Sequence, residues 1–268
     1  MNIALVGYGR MGHEIEQVLV SRGHTCPARV DPAAKEADAT SLSEAFAETD
    51  GGATNSRVRG PDAVIEFASP TGVVENAEWY TRHGVPAVVG TTGWEDRREE
   101  VHGIVEREGG AYLWGANFSV GANLFFALVE AAGRLIDRFE DYDPMLFEAH
   151  HRGKKDSPSG TALEAARRLL AVSSRKQDIV TDALQRRIEP QELHVASLRG
   201  GSVPGTHTLS FDSPFDTITL SHSARTRSGF ALGSVLAAEW LVGRRGFYSV
   251  DDFFADQLDA AGGSTLGG

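Results

Sequence analysis

One cysteine, Cys26, occurs in 268 residues, and that scarcity removes several chemistries at once. A disulfide framework, a thiolate zinc site and an iron–sulfur cluster all need more thiols. No H-E-x-x-H pattern replaces them, so no metal is expected. Cations are the next shortage: 26 Lys and Arg stand against 37 Asp and Glu, a formal charge of -11. That balance repels phosphate backbones and anionic bilayers, so neither nucleic acid nor a membrane is an expected partner. The acidic excess reads either as ordinary solubility or as adaptation to a salty cytoplasm. A basic leader, a membrane-length apolar run, internal repeats and heptads are also missing, and a cytoplasmic protein is expected.

What is present starts at the first residues. The apolar run Ile3 to Val6 ends in Gly7-Tyr8-Gly9-Arg10-Met11-Gly12, and a helix follows through Ile15, Val18 and Leu19, stopping near Ser21 to Gly23. A G-x-G-x-x-G turn between strand and helix points to a dinucleotide. Gly7 permits the tight turn, Gly9 leaves room for the pyrophosphate, and Gly12 lets helix and strand approach. The pyrophosphate would meet backbone N–H groups at the helix's positive end. Asp31 lies 24 positions beyond Gly7, where an acidic residue ends the second strand and binds the adenosine ribose. Asp31 favours NADH by repelling a 2'-phosphate, whereas Arg10, Arg29 and Lys35 would accommodate one; NADH and NADPH both stay open.

An exposed connection is expected over Asp50 to Pro61. Strands at Ala63 to Ala68, Val85 to Val89 and Ala111 to Trp114 alternate with helices at Thr71 to Arg82 and Glu95 to Glu108. That alternation predicts an α/β unit, a mainly parallel sheet with helices on both faces. The fourth strand ends at Gly90-Thr91-Thr92-Gly93, where such a sheet receives its ligand, and this small-residue loop can touch the nicotinamide or its ribose. The pattern changes after Asn117-Phe118-Ser119, which is placed at a hinge facing the nicotinamide. Next comes a helix expected to bury Leu124, Leu128, Ala131, Ala132 and Leu135, then a strand at Met145 to Ala149. A helix after Ser157 buries Leu163, Ala166, Leu169 and Leu170. Alternation at Leu193 to Ser197, Thr206 to Phe211 and Thr217 to His222 predicts a second, more antiparallel sheet. Helices over Phe230 to Val242 and Val250 to Leu258 precede a mobile tail, Ala260 to Gly268.

The residues with chemistry cluster at His150-His151-Arg152-Gly153-Lys154-Lys155. Adjacent histidines on an extended segment point to opposite sides, which makes His150 and His151 poor joint metal ligands. Beside three cations they suit an anionic substrate, offering titratable protons and positive charge. Ser159-Gly160-Thr161 then opens a helix whose N–H groups and hydroxyls can clasp a carboxylate. His207, His222, Arg225 and Arg227 are further candidates with less local support.

These segments together resemble the 4-hydroxy-tetrahydrodipicolinate reductase family, also called dihydrodipicolinate reductases. The resemblance rests on Val6 to Gly12, Val89 to Gly93, Asn117 to Asn123, Gly205 to His207, Phe230 to Gly233 and, most specifically, Glu148 to Ala162. It implies a Rossmann-type doubly wound parallel sheet over 1–120, completed by C-terminal helices at 229–268. It also implies an inserted α+β substrate domain over 121–228 whose open sheet assembles a homotetramer. The implied reaction delivers hydride from NADH or NADPH to a small dicarboxylate, with loss of water, in lysine and diaminopimelate synthesis. His150 and Lys154 match the family's catalytic pair, between which the proton-delivering role stays open. His151, Ser159, Gly160 and Thr161 match its substrate contacts, and Gly90, Thr92 and Asn117-Phe118-Ser119 match contacts near the nicotinamide. Two departures are the shorter glycine turn and Gly153, where the family often has another histidine. Other readings are a different two-domain amino-acid dehydrogenase and a non-catalytic dinucleotide sensor.

Overall fold

A computed structural model describes residues 1–47 and 60–262. The expected connection over Asp50 to Pro61 falls almost wholly outside those residues, as does the tail beyond Gly262. Two compact units divide the chain: Met1–Ser119 with the segment from Arg227 onward, and Val120–Thr226.

The first unit begins β1 (Ile3–Val6), α1 (Arg10–Ser21), β2 (Arg29–Val30), α2 (Leu42–Ala45), β3 (Ala63–Glu66), α3 (Val73–Arg82), β4 (Ala87–Val89), α4 (Arg98–Glu108) and β5 (Ala111–Trp114). β1, β3 and β4 are buried at every residue, as strands covered by helices on both faces must be. One face carries Ala4, Val6, Val64, Ala87, Val89 and Tyr112 against Val73, Ala77 and Tyr80 of α3 and Val101 and Val105 of α4.

The second unit holds α5 (Val120–Ile136), β6 (Asp143–His150), α6 (Gly160–Val172), β7 (Asp178–Val180), β8 (Glu192–Arg199), β9 (Thr206–Asp212) and β10 (Thr217–Ser223). Its sheet order is β10-β9-β6-β8-β7. β9 pairs antiparallel with β10 and β6, while β8 pairs parallel with β6 and β7, so the sheet is mixed and more antiparallel than that of the first unit, as the strand pattern predicted. α5 also turns a different face inward. Phe125, Phe126, Val129 and Ile136 are buried, while Leu124, Leu128 and Leu135 are exposed. Apolar side chains nearly encircle this helix, so periodicity could not choose; Gly133 decides it. A Cβ there would lie 2.8 Å from Leu169 and Val172 of α6, so only the glycine side allows the two helices to meet. Each large apolar side chain buried at that contact contributes roughly 1.5–3 kcal/mol.

The chain returns to the first unit through α7 (Ser228–Leu241), β11 (Gly246–Ser249) and α8 (Val250–Gly262). α8 runs past Ala260, correcting the expected start of the tail. β11 adds a sixth strand that its four residues, set between two helices, did not announce. The sheet is parallel throughout, in the order β11-β5-β4-β3-β1-β2. α7 packs on α1 and on β3, β4 and β5. Among the described residues no helix is long and apolar enough to cross a membrane.

Candidate active site

The glycine turn meets the steric demands of a dinucleotide site. Gly7 has φ +88°, and a Cβ on it would lie 2.1 Å from Phe67 O. A Cβ on Gly12 would lie 2.6 Å from Gly7 O, whereas one on Gly9 meets nothing within 4 Å. Gly9 is the N-cap of α1 and supplies no side-chain capping bond, so the helix end keeps N–H groups for a ligand. Tyr8 is buried, Arg10 exposed and Met11 half-buried. Asp31, just beyond β2, accepts Tyr8 N–H and the N–H groups of Ala33 and Ala34 at 2.8, 2.8 and 3.1 Å. Partial burial pushes its carboxyl up, but these three donors prevail and hold it below the ordinary range. Arg29 points to Glu16 and Asp38 instead.

The turn after β4 lies against the turn after β3. A Cβ on Gly90 would sit 2.2 Å from the Phe67 ring. Thr91 is buried and accepts Ala68 N–H at 2.9 Å, while Thr92 is exposed. Asn117 Oδ1 accepts Ser119 N–H at 3.0 Å. Phe118, nearly fully buried, packs edge-on against Phe67, so its ring serves the core of the first unit.

In the second unit, His150 ends β6 and lies on the covered face of the sheet, whereas His151 is exposed on the turn that follows. Glu148, two residues back on the same strand, is fully buried and pairs with His150 Nδ1. Arg199, beside His150 in the β6–β8 register, reaches Glu148 Oε1 at 2.8 Å and Asp156 O at 2.6 Å. Burial pushes the Glu148 carboxyl up, but Arg199 and His150 outweigh it and hold it below the ordinary range. An ionised carboxylate only accepts, so His150 Nδ1 donates and Nε2 is the nitrogen left for a substrate. Gly205 keeps that side open: a Cβ there would lie 2.8 Å from His150 Nε2.

Ser159, also buried, is the N-cap of α6. Its Oγ accepts Ala162 N–H at 3.1 Å and its N–H donates to Glu148 Oε1 at 3.2 Å. With that hydroxyl engaged, Gly160 N–H turns to the Asp156 carboxylate and Thr161 N–H is the other leading donor of the helix. Lys154 Nζ lies 2.9 Å from Asp156 Oδ1. His207 stands 3.0 Å from Ser159 Oγ and edge-on to His150 at 5.1 Å between ring centres. Burial, then its histidine neighbour His150, pushes it down to about 4, so it is neutral at physiological pH. His222 stacks on His207 at 6.3 Å; Arg225 and Arg227 are exposed.

Glu148, His150 and His207 form one group, among the described residues, with donor atoms close enough for a cation, all within 4.8 Å. Arg199 and the His150 N–H already meet the Glu148 charge, which makes the group a hydrogen-bonded network. Sequence reasoning passed over Glu148 and Arg199. The Glu-x-His spacing on a strand, which puts both side chains on one face, could have found Glu148. Arg199 depends on a strand register that no local signal encodes.

A parallel sheet with a dinucleotide turn, on one chain with a buried His–carboxylate pair at a helix N-terminus, defines a two-unit dinucleotide-dependent oxidoreductase. Family models described as dihydrodipicolinate reductase, N-terminus and C-terminus, match residues 1–118 and 121–254. A 4-hydroxy-tetrahydrodipicolinate reductase of Christiangramia forsetii is 34% identical over 96% of this chain and 98% of its own length. One of Methanoregula boonei is 39% identical over 72% of this chain and 74% of its own. The solved structure of dipicolinate-bound dihydrodipicolinate reductase from Paenisporosarcina sp. TG-14 shares the fold, with a TM-score of 0.71 at 21% identity, over 94% of this chain and 98% of that one. The chain belongs to the dihydrodipicolinate reductase family. It is an NAD(P)H-dependent oxidoreductase of lysine and diaminopimelate synthesis that reduces 4-hydroxy-tetrahydrodipicolinate.

Proposed function

We propose that 1–120 with 229–268 holds the dinucleotide and that 121–228 binds the substrate and assembles the enzyme. Bound NADH or NADPH supplies the hydride. Gly7 to Gly12 would cradle its pyrophosphate, Asp31 its adenosine ribose, and Gly90, Thr91, Thr92 and Asn117 to Ser119 its nicotinamide end. The N–H groups of Gly160 and Thr161, with Ser159 fixing the helix end, would receive one substrate carboxylate. Lys154 adds charge and His151 a ring contact for the other, as the likeness to a dipicolinate-bound enzyme supports. His150 and Lys154 hold and pass the proton that the reduced ring needs, His150 at Nε2 and Lys154 at Nζ.

The observation that carries this reading is the buried Glu148–His150 pair, set in the same unit as the α6 N-terminus and stabilised by Arg199. The experiment is cofactor oxidation with freshly generated substrate. His150→Gln and Lys154→Ala should each lower kcat by about two to four orders of magnitude. Near-normal kcat in both removes them as catalysts. The exposed face of the second sheet, bearing Met145, Phe147 and Leu198, is the surface on which we place homotetramer assembly. We assign the enzyme to the cytoplasm, where reduced nicotinamide dinucleotide is supplied.

A further inference from the structure

Glu66, the last residue of β3, is a fully buried carboxyl that the reaction above does not use. Its Oε2 accepts Tyr80 Oη at 2.7 Å and Asn76 Nδ2 at 3.2 Å, both from α3. Its Oε1 accepts Thr91 Oγ1 at 3.3 Å, and that hydroxyl accepts Ala68 N–H at 2.9 Å. Its own carbonyl accepts Gly90 N–H at 2.8 Å. One residue therefore ties the turn after β3 to the turn after β4. Phe67, next in sequence, leaves no room for a Cβ on either Gly7 or Gly90, so the glycine turn joins the same interlocked group.

A charge here is costly. No cation pairs with Glu66 among the described residues. The titratable groups facing it are the phenols of Tyr80 on α3 and Tyr112 on β5, both pushed far up by burial and by Glu66, so they stay neutral. Burial pushes the Glu66 carboxyl itself up to about 7. A glutamine or an apolar residue would fill the space with no such cost.

We propose that Glu66 is a positioning residue for the nicotinamide dinucleotide: its carboxylate holds Thr91, and through Thr91 keeps the Gly90–Thr92 turn in the shape that receives the cofactor. This rests on the assignment of that turn to the cofactor site. An ionised Glu66 accepts from Thr91. Because Oε2 already accepts from Tyr80 and Asn76, the proton is taken up on Oε1; that oxygen then donates to Thr91, and the Thr91 hydroxyl, already accepting Ala68 N–H, loses its acceptor. Cofactor affinity then follows Glu66 ionisation.

The test is the Kd of NADH and of NADPH, by fluorescence quenching without substrate, so that the groups handling the substrate's proton play no part. For the wild type, Kd should rise about tenfold between about pH 8 and pH 6. Glu66→Gln should bind about tenfold more weakly at pH 8, the value of one charge-assisted hydrogen bond, and show no such pH dependence. Glu66→Asp should recover part of both. Thr91→Val should match Glu66→Gln, and the double variant should be no worse than either. Wild-type binding by Glu66→Gln at every pH, with Thr92→Tyr weakening it, overturns the proposal and leaves the turn assignment standing. Wild-type binding by Thr92→Tyr removes both. Should Glu66→Gln not fold, Thr91→Val carries the comparison: a weakened, flat profile supports the proposal, and a wild-type profile overturns it.

Discussion

Glu148 and His150 stand two residues apart on β6, and that spacing turns both side chains to the covered face of the sheet, where the carboxylate takes the Nδ1 hydrogen of the ring. Arg199 and Ser159 N–H hold the carboxylate's other oxygen. Strand, neighbouring strand and helix end thus converge on a single carboxyl group, which fixes the ring's tautomer and direction as well as charge.

Glu148→Gln should accordingly lower kcat by about a hundredfold through loss of ring orientation, with the dinucleotide Kd unchanged. A kcat within twofold of wild type would show that the carboxylate serves folding alone. The pH dependence of stability follows from the lowered carboxyl of Glu148. Its contribution is complete above the ordinary carboxylate range and is lost as pH falls through the lowered value. Denaturant titrations should therefore separate Glu148→Gln from wild type by about 3 kcal/mol at neutral pH and by less in acid.

Asp31 orders the glycine turn through Tyr8 N–H and is the acid we propose for the adenosine ribose. Three backbone donors keep it ionised, and an ionised carboxylate repels a 2'-phosphate. Asp31→Asn should raise the NADPH to NADH ratio of kcat/KM by about tenfold, one charge–charge term at partial exposure. A wild-type enzyme already tenfold better with NADPH would end the argument from Asp31.

Much of the first unit was legible because its signals are local. A strand–glycine turn–helix, with an acid after the second strand, needs no distant partner to be read. β11 was not legible, since four residues gain strand identity only by pairing with β5. In the second unit, the segment from His150 to Thr161 announced its chemistry through residue type alone. What anchors it was less legible: Arg199, which enters through a parallel register with β6, carried no local signal, and His207, a weaker candidate by sequence, joins through an antiparallel one. The inward face of α5 was likewise set by a glycine facing α6, a packing relation between residues 133 and 169.

Glu66 should cost the protein stability. Its carboxyl rises from 4.5 to about 7 on folding. A raised value means that its contribution to folding is full below the unfolded value and is lost as pH climbs through the folded one. Glu66→Gln should therefore gain up to about 3 kcal/mol over wild type at pH 8, with the gap closing toward pH 5. Melting temperatures across that range measure it; parallel curves would mean the group ionises without penalty.

The second sheet presents its uncovered face as two kinds of surface. Across β9 and β10, hydroxyls pair at 3.0 Å (Thr206–Ser223), 3.1 Å (Thr208–Ser221) and 3.3 Å (Ser210–Thr219). Beside them on β6 lie Met145 and Phe147, with Leu198 on β8, apolar side chains left exposed on the single chain. A sheet face with satisfied hydroxyls and unsatisfied apolar groups gains by meeting another copy, at roughly 1.5–3 kcal/mol for each large side chain buried. Phe147→Lys replaces one such gain with an ammonium whose burial against apolar side chains is costly. Light scattering should give four copies of the 28.8 kDa chain for wild type and a smaller species for the variant, with far-ultraviolet dichroism unchanged because Phe147 lies outside the core. A wild-type protein that scatters as a single chain would mean that this face meets solvent, and that each copy works alone.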